Sequence, residues 1–219
     1  EFNPLDMYAF LTSMCISEDG TLHIYVAYAK NKTDSITVRH YVFKPVLSLT
    51  DVFEIPSVLP GGSNPLYMFY NCQSFNGHTY AVLWGKPEAG KAGGQAAIIR
   101  DNEVVRVLTP KDFNASDLGV PTSVPNVSVD IDGWLYMPFI VDVDHGMAVL
   151  DESFNVYKFC KTDGYRFSYV GSQFVDPWDY NVMQLLQSGD YAHYRVVDYE
   201  CNEIRPPQQI GYALSLIHI

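Results

Sequence analysis

Four glycines fall at almost equal intervals along this 219-residue chain: Gly20, Gly77, Gly133 and Gly189, separated by 57, 56 and 56 residues. Each closes a polar pair (Asp19-Gly20, Asn76-Gly77, Asp132-Gly133 and Ser188-Gly189), and each is followed by an apolar run rich in aromatic residues. A fixed period of this length is the mark of an architecture that repeats one supersecondary unit. The runs after the glycines cover residues 21–28, 78–84, 134–140 and 190–197. They are rich in Tyr, Val, Ile, Leu and Trp and lack helical periodicity, which predicts strands. Strand-like runs also precede the glycines, at 7–16, 66–72, 127–131 and 181–186. Asp-Gly or Asn-Gly between two such runs predicts a tight hairpin, because both turn residues must tolerate positive φ. A second hairpin follows at 96–109, around Asp101-Asn102, and at 147–159, around Glu152-Ser153. In the first repeat the runs 36–43 and 52–55 take this role less cleanly, and in the fourth it falls within 194–204.

Four antiparallel strands per unit, repeated four times, resemble the blades of a β-propeller. The stretches Ser17-Glu18-Asp19-Gly20-Thr21-Leu22-His23-Ile24-Tyr25 and Val129-Asp130-Ile131-Asp132-Gly133-Trp134-Leu135-Tyr136 carry the resemblance, which spans residues 7–210 and concerns architecture alone. It implies an all-β fold: a β-propeller or propeller arc of about four four-stranded antiparallel blades with a repeat of about 56 residues. Tandem small sandwiches or one irregular sandwich are the competing all-β arrangements, and they would need Greek-key crossovers instead. The sialidase Asp-box is not matched, since Ser17-Glu18-Asp19-Gly20-Thr21 lacks the residue between Asp and Gly and the closing Trp. Trp178-Asp179 occurs once and out of phase, so the Trp-Asp repeat family is not matched either.

Residues 1–213 are expected to form a single propeller-like domain, part of a larger ring, with the missing blades or a neighbouring domain of the same protein covering its ends. Residues 214–219 (LSLIHI) resemble a translated sequencing adaptor and are expected to be a non-native tail. Hydrophobic content of 47% and charged content of 18% fit a globular chain. The net charge of −11 repels phosphate backbones and argues against a nucleic-acid partner. No run reaches 18 consecutive apolar residues, so no membrane-spanning helix and no membrane partner are expected.

Of the four cysteines, Cys15, Cys72, Cys160 and Cys201, the first two each lie five residues before a repeat glycine and read as equivalent, small buried side chains on successive inner strands. There is no Cys-x-x-Cys and no His at metal spacing beside a Cys, so neither a metal nor a cofactor is expected. Three glycosylation-type sequons begin at Asn31, Asn114 and Asn126. The motif is frequent by chance.

The longest predicted connections, 29–35, 85–95, 141–146, 56–65, 110–125 and 161–179, would all emerge on one face of such blades. Function concentrates on long loops held by a rigid scaffold, which places a site on that face and leaves the opposite face bland. Asp142, Asp144 and His145 form a short acidic cluster there, which could do acid–base work, is too small for a calcium site, and reads first as a solvated turn. Trp178 and Asp179 follow Pro177 in another of these loops, where the indole could stack on a sugar ring or plug the core. These five are the candidate ligand-binding residues, and no catalytic residue is assigned. Asp130 and Asp132 read as turn formers at the opposite rim. The resulting expectation is a binding module for a carbohydrate or protein surface, at an extracellular, cell or virion surface. The alternatives are a propeller-type glycoside hydrolase fragment, sialidase-like or related, and a structural spacer of a surface or phage tail protein.

Overall fold

The computed structural model describes residues 8–45, 47–120, 125–167, 173–176 and 178–212. The predicted tail at 214–219 lies outside the described residues. The chain divides into two compact units, residues 1–110 and 111–219.

The first unit holds two antiparallel sheets. Sheet 1 runs β1 (Tyr8–Ile16), β2 (Leu22–Ala29), β3 (Ile36–Lys44), β4 (Ser48–Leu59), each strand pairing with the next. In sheet 2 the first strand is broken into β5 (Leu66–Phe69) and β6 (Gln73–Phe75), both paired with β7 (His78–Lys86). β8 (Gln95–Arg100) and β9 (Glu103–Leu108) complete it. The second unit repeats the plan. In sheet 3, β10 (Leu118–Gly119) and β11 (Ser128–Val129) share one edge of β12 (Leu135–Val141), followed by β13 (Asp144–Leu150) and β14 (Val156–Lys161). In sheet 4, β15 (Arg166–Phe167) and β16 (Gln173–Val175) share one edge of β17 (Val182–Ser188), followed by β18 (Tyr191–Val197) and β19 (Glu203–Tyr212). Among the described residues every pairing between strands is antiparallel and, with a broken strand taken as one, between sequence neighbours, with no Greek-key crossover; one isolated parallel bridge joins Asn64 and Glu88. Counting a broken strand as one, the chain is all-β, with four four-stranded sheets that resemble propeller blades.

The sheets are built by apolar runs covered on both faces. β7 and β12 are buried along almost their whole length. Tyr25, Ile36, Val38, Leu59, Phe69, Leu83 and Ile99 share the core of the first unit. Tyr136, Met147, Val149, Phe167, Val182 and Leu186 share that of the second. Burial of such side chains stabilises by about 1.5–3 kcal/mol each. The last strands of sheets 1 and 4 are the opposite case, since β4 and β19 are exposed along most of their length. β19 pairs with β18 through three register irregularities and carries Pro206-Pro207.

The repeat departs from its glycine markers in two ways. The second strands begin at Leu22, His78, Leu135 and Val182, so the last interval is 47 residues rather than 56. Gly189 therefore sits in the hairpin between the second and third strands of sheet 4, where Ser188 pairs with Tyr191. Gly20, Gly77 and Gly133 sit between first and second strands. The place of a fourth marker is taken by Tyr180, which adopts φ +56 without being glycine. Of the three, Asn76-Gly77 alone forms a two-residue turn. Asp19-Gly20 and Asp132-Gly133 belong to five-residue turns.

The cysteines, of which Cys15 and Cys72 read from the sequence only as small buried side chains, are paired. Cys15 is joined to Cys72 and Cys160 to Cys201, leaving no free cysteine among the described residues. Each bond ties together the two sheets of its own unit. Equal phase in two repeats is what brings Cys15 and Cys72 to facing places on adjacent sheets, with Cα atoms 5.5 Å apart. Beside that bond Ser13, itself buried, donates to the Tyr70 carbonyl (2.8 Å) and accepts from the Cys72 amide (2.8 Å).

The chain-entropy account assigns about 4 kcal/mol to a crosslink that closes a loop of this length. The double variant Cys160→Ser/Cys201→Ser is expected to lose that order of stability in denaturant unfolding. A loss below about 1 kcal/mol would show that the bond is incidental to the unit.

Candidate functional site

One turn design recurs at the ends of the sheets. In residues 17–21, 130–134, 151–155 and 198–202 the first amide donates to the fifth carbonyl and the fourth amide to the first carbonyl. The fourth residue must take positive φ: Gly20 (+82), Gly133 (+83), Phe154 (+62) and Cys201 (+66) do so. In the second unit an Asp opens each copy, and its side chain caps the amides that follow. Asp130 Oδ1 accepts from the Asp132 and Trp134 amides, both at 3.0 Å. Asp151 Oδ1 does the same for Ser153 and Asn155, and Asp198 Oδ1 accepts from Asn202.

Two of these turns, 130–134 of sheet 3 and 198–202 of sheet 4, border a cleft of about 450 Å³ in the second unit. Its polar groups are the carboxylates Asp130, Asp132 and Glu200. Its apolar surface is aromatic: Trp134, Tyr136, Tyr157, Tyr180 and Tyr199. The rings meet at steep angles. Trp134 stands at 62° to Tyr157 and 80° to Tyr199, and Tyr180 at 70° to Tyr199, with centroids 5.1–6.4 Å apart. Such edge-to-face contacts are favourable arrangements of aromatic quadrupoles.

Each carboxylate is paired with a tyrosine. The Tyr136 hydroxyl donates to Asp130 Oδ2 (2.7 Å), that of Tyr180 to Asp132 Oδ2 (2.7 Å), and that of Tyr157 to Glu200 Oε1. Lys158 Nζ adds bonds to the Glu200 carbonyl (2.6 Å) and Oε2 (3.1 Å). The Tyr157 hydroxyl, with Lys158 behind it, holds the Glu200 carboxyl below the ordinary carboxylate value. Asp130 is buried, and burial pushes its carboxyl up against the opposing effect of its hydrogen bonds. The same partners push the Tyr157 and Tyr180 hydroxyls up, so both stay protonated at neutral pH.

The first unit has a polar cleft of about 410 Å³ at the same end of its sheets, lined by residues that include Ser17, Asp19, His23, Thr79 and Asp101. Behind it runs a hydrogen-bonded chain. Asn102 Oδ1 lies 2.6 Å from His40 Nδ1, His40 Nε2 lies 2.9 Å from His23 Nδ1, and His23 Nε2 faces Ser17 Oγ at 3.3 Å. Neutral His40 donates to Asn102, which leaves Nε2 to accept from His23. His40 is buried and stacks on Tyr25 with centroids 4.2 Å apart. Burial holds its imidazole below the ordinary 6.5.

The five residues singled out from the sequence are split between two ends of the sheets. Asp142, Asp144 and His145 lie at the β12–β13 connection, which is a two-residue turn instead of the expected long loop: Val141 pairs with Asp144 and Asp142 takes φ +55. Asp142 Oδ1 is bonded to the Ser116 hydroxyl and to the amides of Ser116 and Asp117, which holds its carboxyl below the ordinary value. Asp144 pairs with Lys161 at 2.6 Å. Burial lowers the His145 imidazole from its ordinary value. Trp178 and Asp179 lie between β16 and β17, in the turn that carries Tyr180, and so at the end of the sheet opposite to the one expected. Their amides are capped by Asp176 Oδ1, and Trp178 is 67% exposed. Pro177 lies outside the described residues.

Both clefts sit at the end formed by first-to-second and third-to-fourth strand turns, the end read as bland from the sequence. Its turns are short, and the groups lining both clefts are carried on these turns and on the strand residues beside them. The signal was present as aromatic residues recurring near these turns at Trp134, Tyr157, Tyr180 and Tyr199.

No protein-family model matches this sequence, and no curated protein matches it. Solved structures do. The chain resembles an exo-β-1,3-galactanase from Phanerochaete chrysosporium, solved with galactose, with a TM-score of 0.52 at 11% identity over 91% of this chain and 49% of the other. A family 117 glycoside hydrolase from Zobellia galactanivorans matches with a TM-score of 0.46 at 11% identity, over 96% of this chain and 72% of the other. The likeness to the galactanase shows the fold, which is shared with propeller glycoside hydrolases, and the chain spans about half the length of that enzyme.

Replacing Asp130 by Ala removes the acceptor of the Asp132 and Trp134 amides and of the Tyr136 hydroxyl. A stability loss of about 1–3 kcal/mol is expected, and near-neutral behaviour in denaturant unfolding would refute the capping role. The pH dependence of the first unit has a definite sign. Between 6.5 and the depressed native value of His40 the unfolded chain binds a proton that the native one refuses, so stability falls as pH drops through that window. His40→Gln should flatten this slope in melts recorded across pH, and an unchanged slope would assign it elsewhere.

Proposed function

We propose that this chain is a carbohydrate-binding module whose ligand seats in the cleft between the 130–134 and 198–202 turns. The observation that carries this reading is the pairing of aromatic walls with carboxylates that accept. Asp130, Asp132 and Glu200 are acceptors, and the hydroxyl protons of Tyr136, Tyr157 and Tyr180 are committed to them. A ligand completing these groups must bring donors and an apolar face together, as a sugar ring does with its hydroxyls and its C–H surface. Asp130 already accepts three bonds and is enclosed. That fits Asp130 to shaping the cleft and not to passing a proton to a ligand, and so favours binding over glycoside hydrolysis, which needs a carboxyl free to reach the scissile oxygen. Trp178, exposed two residues before Tyr180, extends the same end of sheet 4 and would meet a longer oligosaccharide leaving the cleft.

A glycan array followed by titration calorimetry tests this. Trp134→Ala and Tyr199→Ala are each expected to weaken the best glycan about tenfold, the effect of losing about 1.4 kcal/mol. Trp178→Ala should weaken long oligosaccharides more than monosaccharides. Absence of glycan binding by the folded protein would overturn the proposal, and release of reducing sugar from bound oligosaccharides would replace it with the hydrolase reading.

A further inference from the structure

We infer that the cleft of the second unit selects ligands bearing an organic ammonium group over neutral ones, so that its sugar is one with a free amine. The inference rests on the carbohydrate reading above for the word sugar, and on the cleft alone for the positive charge. A neutral sugar needs one flat aromatic platform. Most of the rings here stand at steep angles instead: Trp134 meets Tyr157 at 62° and Tyr199 at 80°, and Tyr199 meets Tyr180 at 70°, while Tyr157 and Tyr199 are tilted by 39°. Rings set at steep angles around one space can present π-electron density from several sides, which is the arrangement that recognises ammonium groups.

The charges point the same way. The lining holds three carboxylates and no Lys or Arg. The nearby cation, Lys158, is bonded to both the backbone and the side chain of Glu200, so it offsets one negative charge only. The tyrosine hydroxyls aim their protons at the carboxylates and leave lone pairs for the ligand, which suits the N–H donors of an ammonium as it suits O–H donors. The surrounding chain carries a net charge of −11, which draws cations toward the cleft.

The test is calorimetric titration of the intact protein with three probes: glucosamine oligosaccharides, the same oligosaccharides N-acetylated, and choline. The amine form is expected to bind at least tenfold more tightly than the acetylated form, with affinity falling as salt is raised. Asp132→Asn keeps an oxygen for the Tyr180 hydroxyl and removes the charge. It should weaken the amine form several-fold more than the acetylated form, and equal weakening of both would overturn the charge selection. Equal binding of amine and acetylated oligosaccharides overturns the charge selection while sparing the carbohydrate reading. Binding of choline with no sugar bound upholds the charge selection and overturns the amino sugar as its ligand. Failure of all three probes to bind overturns the charge selection, while the carbohydrate reading stands or falls by the glycan array.

Discussion

The covalent bond between Cys160 and Cys201 is what gives the cleft of the second unit its shape. Tyr199 and Glu200 lie on a five-residue turn at the end of sheet 4, a place where backbone and side chains would otherwise retain much of their freedom. Holding such groups still costs about 1–2 kcal/mol per residue in backbone entropy alone. The bond fixes the turn's fourth residue, Cys201, to β14 of sheet 3. Tyr157 and Lys158, three and two residues before Cys160 on that strand, then meet Glu200 at hydrogen-bonding distance. A crosslink, an ion pair and a tyrosine–carboxylate bond thus converge on one turn. The first unit uses the same solution at Cys15–Cys72, with Ser13 stitching the seam beside it. Two bonds of this kind are consistent with a secreted protein, since disulfides persist in oxidising compartments.

Legibility in the sequence followed how local each determinant is. Strand runs and the 101–102 turn were visible because period, β-branching and turn residues lie within a few positions of one another. The fourth blade was displaced by one strand because Gly189 kept the beat while marking a different hairpin, and the true equivalent position accepted Tyr180 at positive φ. A glycine-based search fails there for a physical reason. An Asp-capped turn supplies enough bonds to hold Phe154, Tyr180 or Cys201 in the left-handed region. The disulfides were missed because a cysteine pair 57 or 41 residues apart leaves no local trace.

The cleft itself was half visible. Asp130 and Asp132 were assigned correctly to a turn, and the turn geometry bears this out. What the chain alone did not reveal is that a turn-forming carboxylate can also line a pocket, once Tyr157, Tyr180 and Tyr199 are brought to it from other strands. Loop length drew attention to Asp142, whose carboxylate instead secures the Ser116–Asp117 backbone. The fold shared with propeller glycoside hydrolases does not decide between binding and hydrolysis, because chemistry belongs to sites and not to scaffolds.

The outermost strand of sheet 4 has a further consequence. β19 offers a ten-residue edge with Ile204, Ile210 and Tyr212 exposed, the kind of border that recruits strands from other molecules. Pro206-Pro207 removes two amide donors in its middle, and three irregularities in its pairing twist it out of a flat template. Each of these features makes the strand a poorer template for a further strand than its exposed apolar side chains alone would suggest.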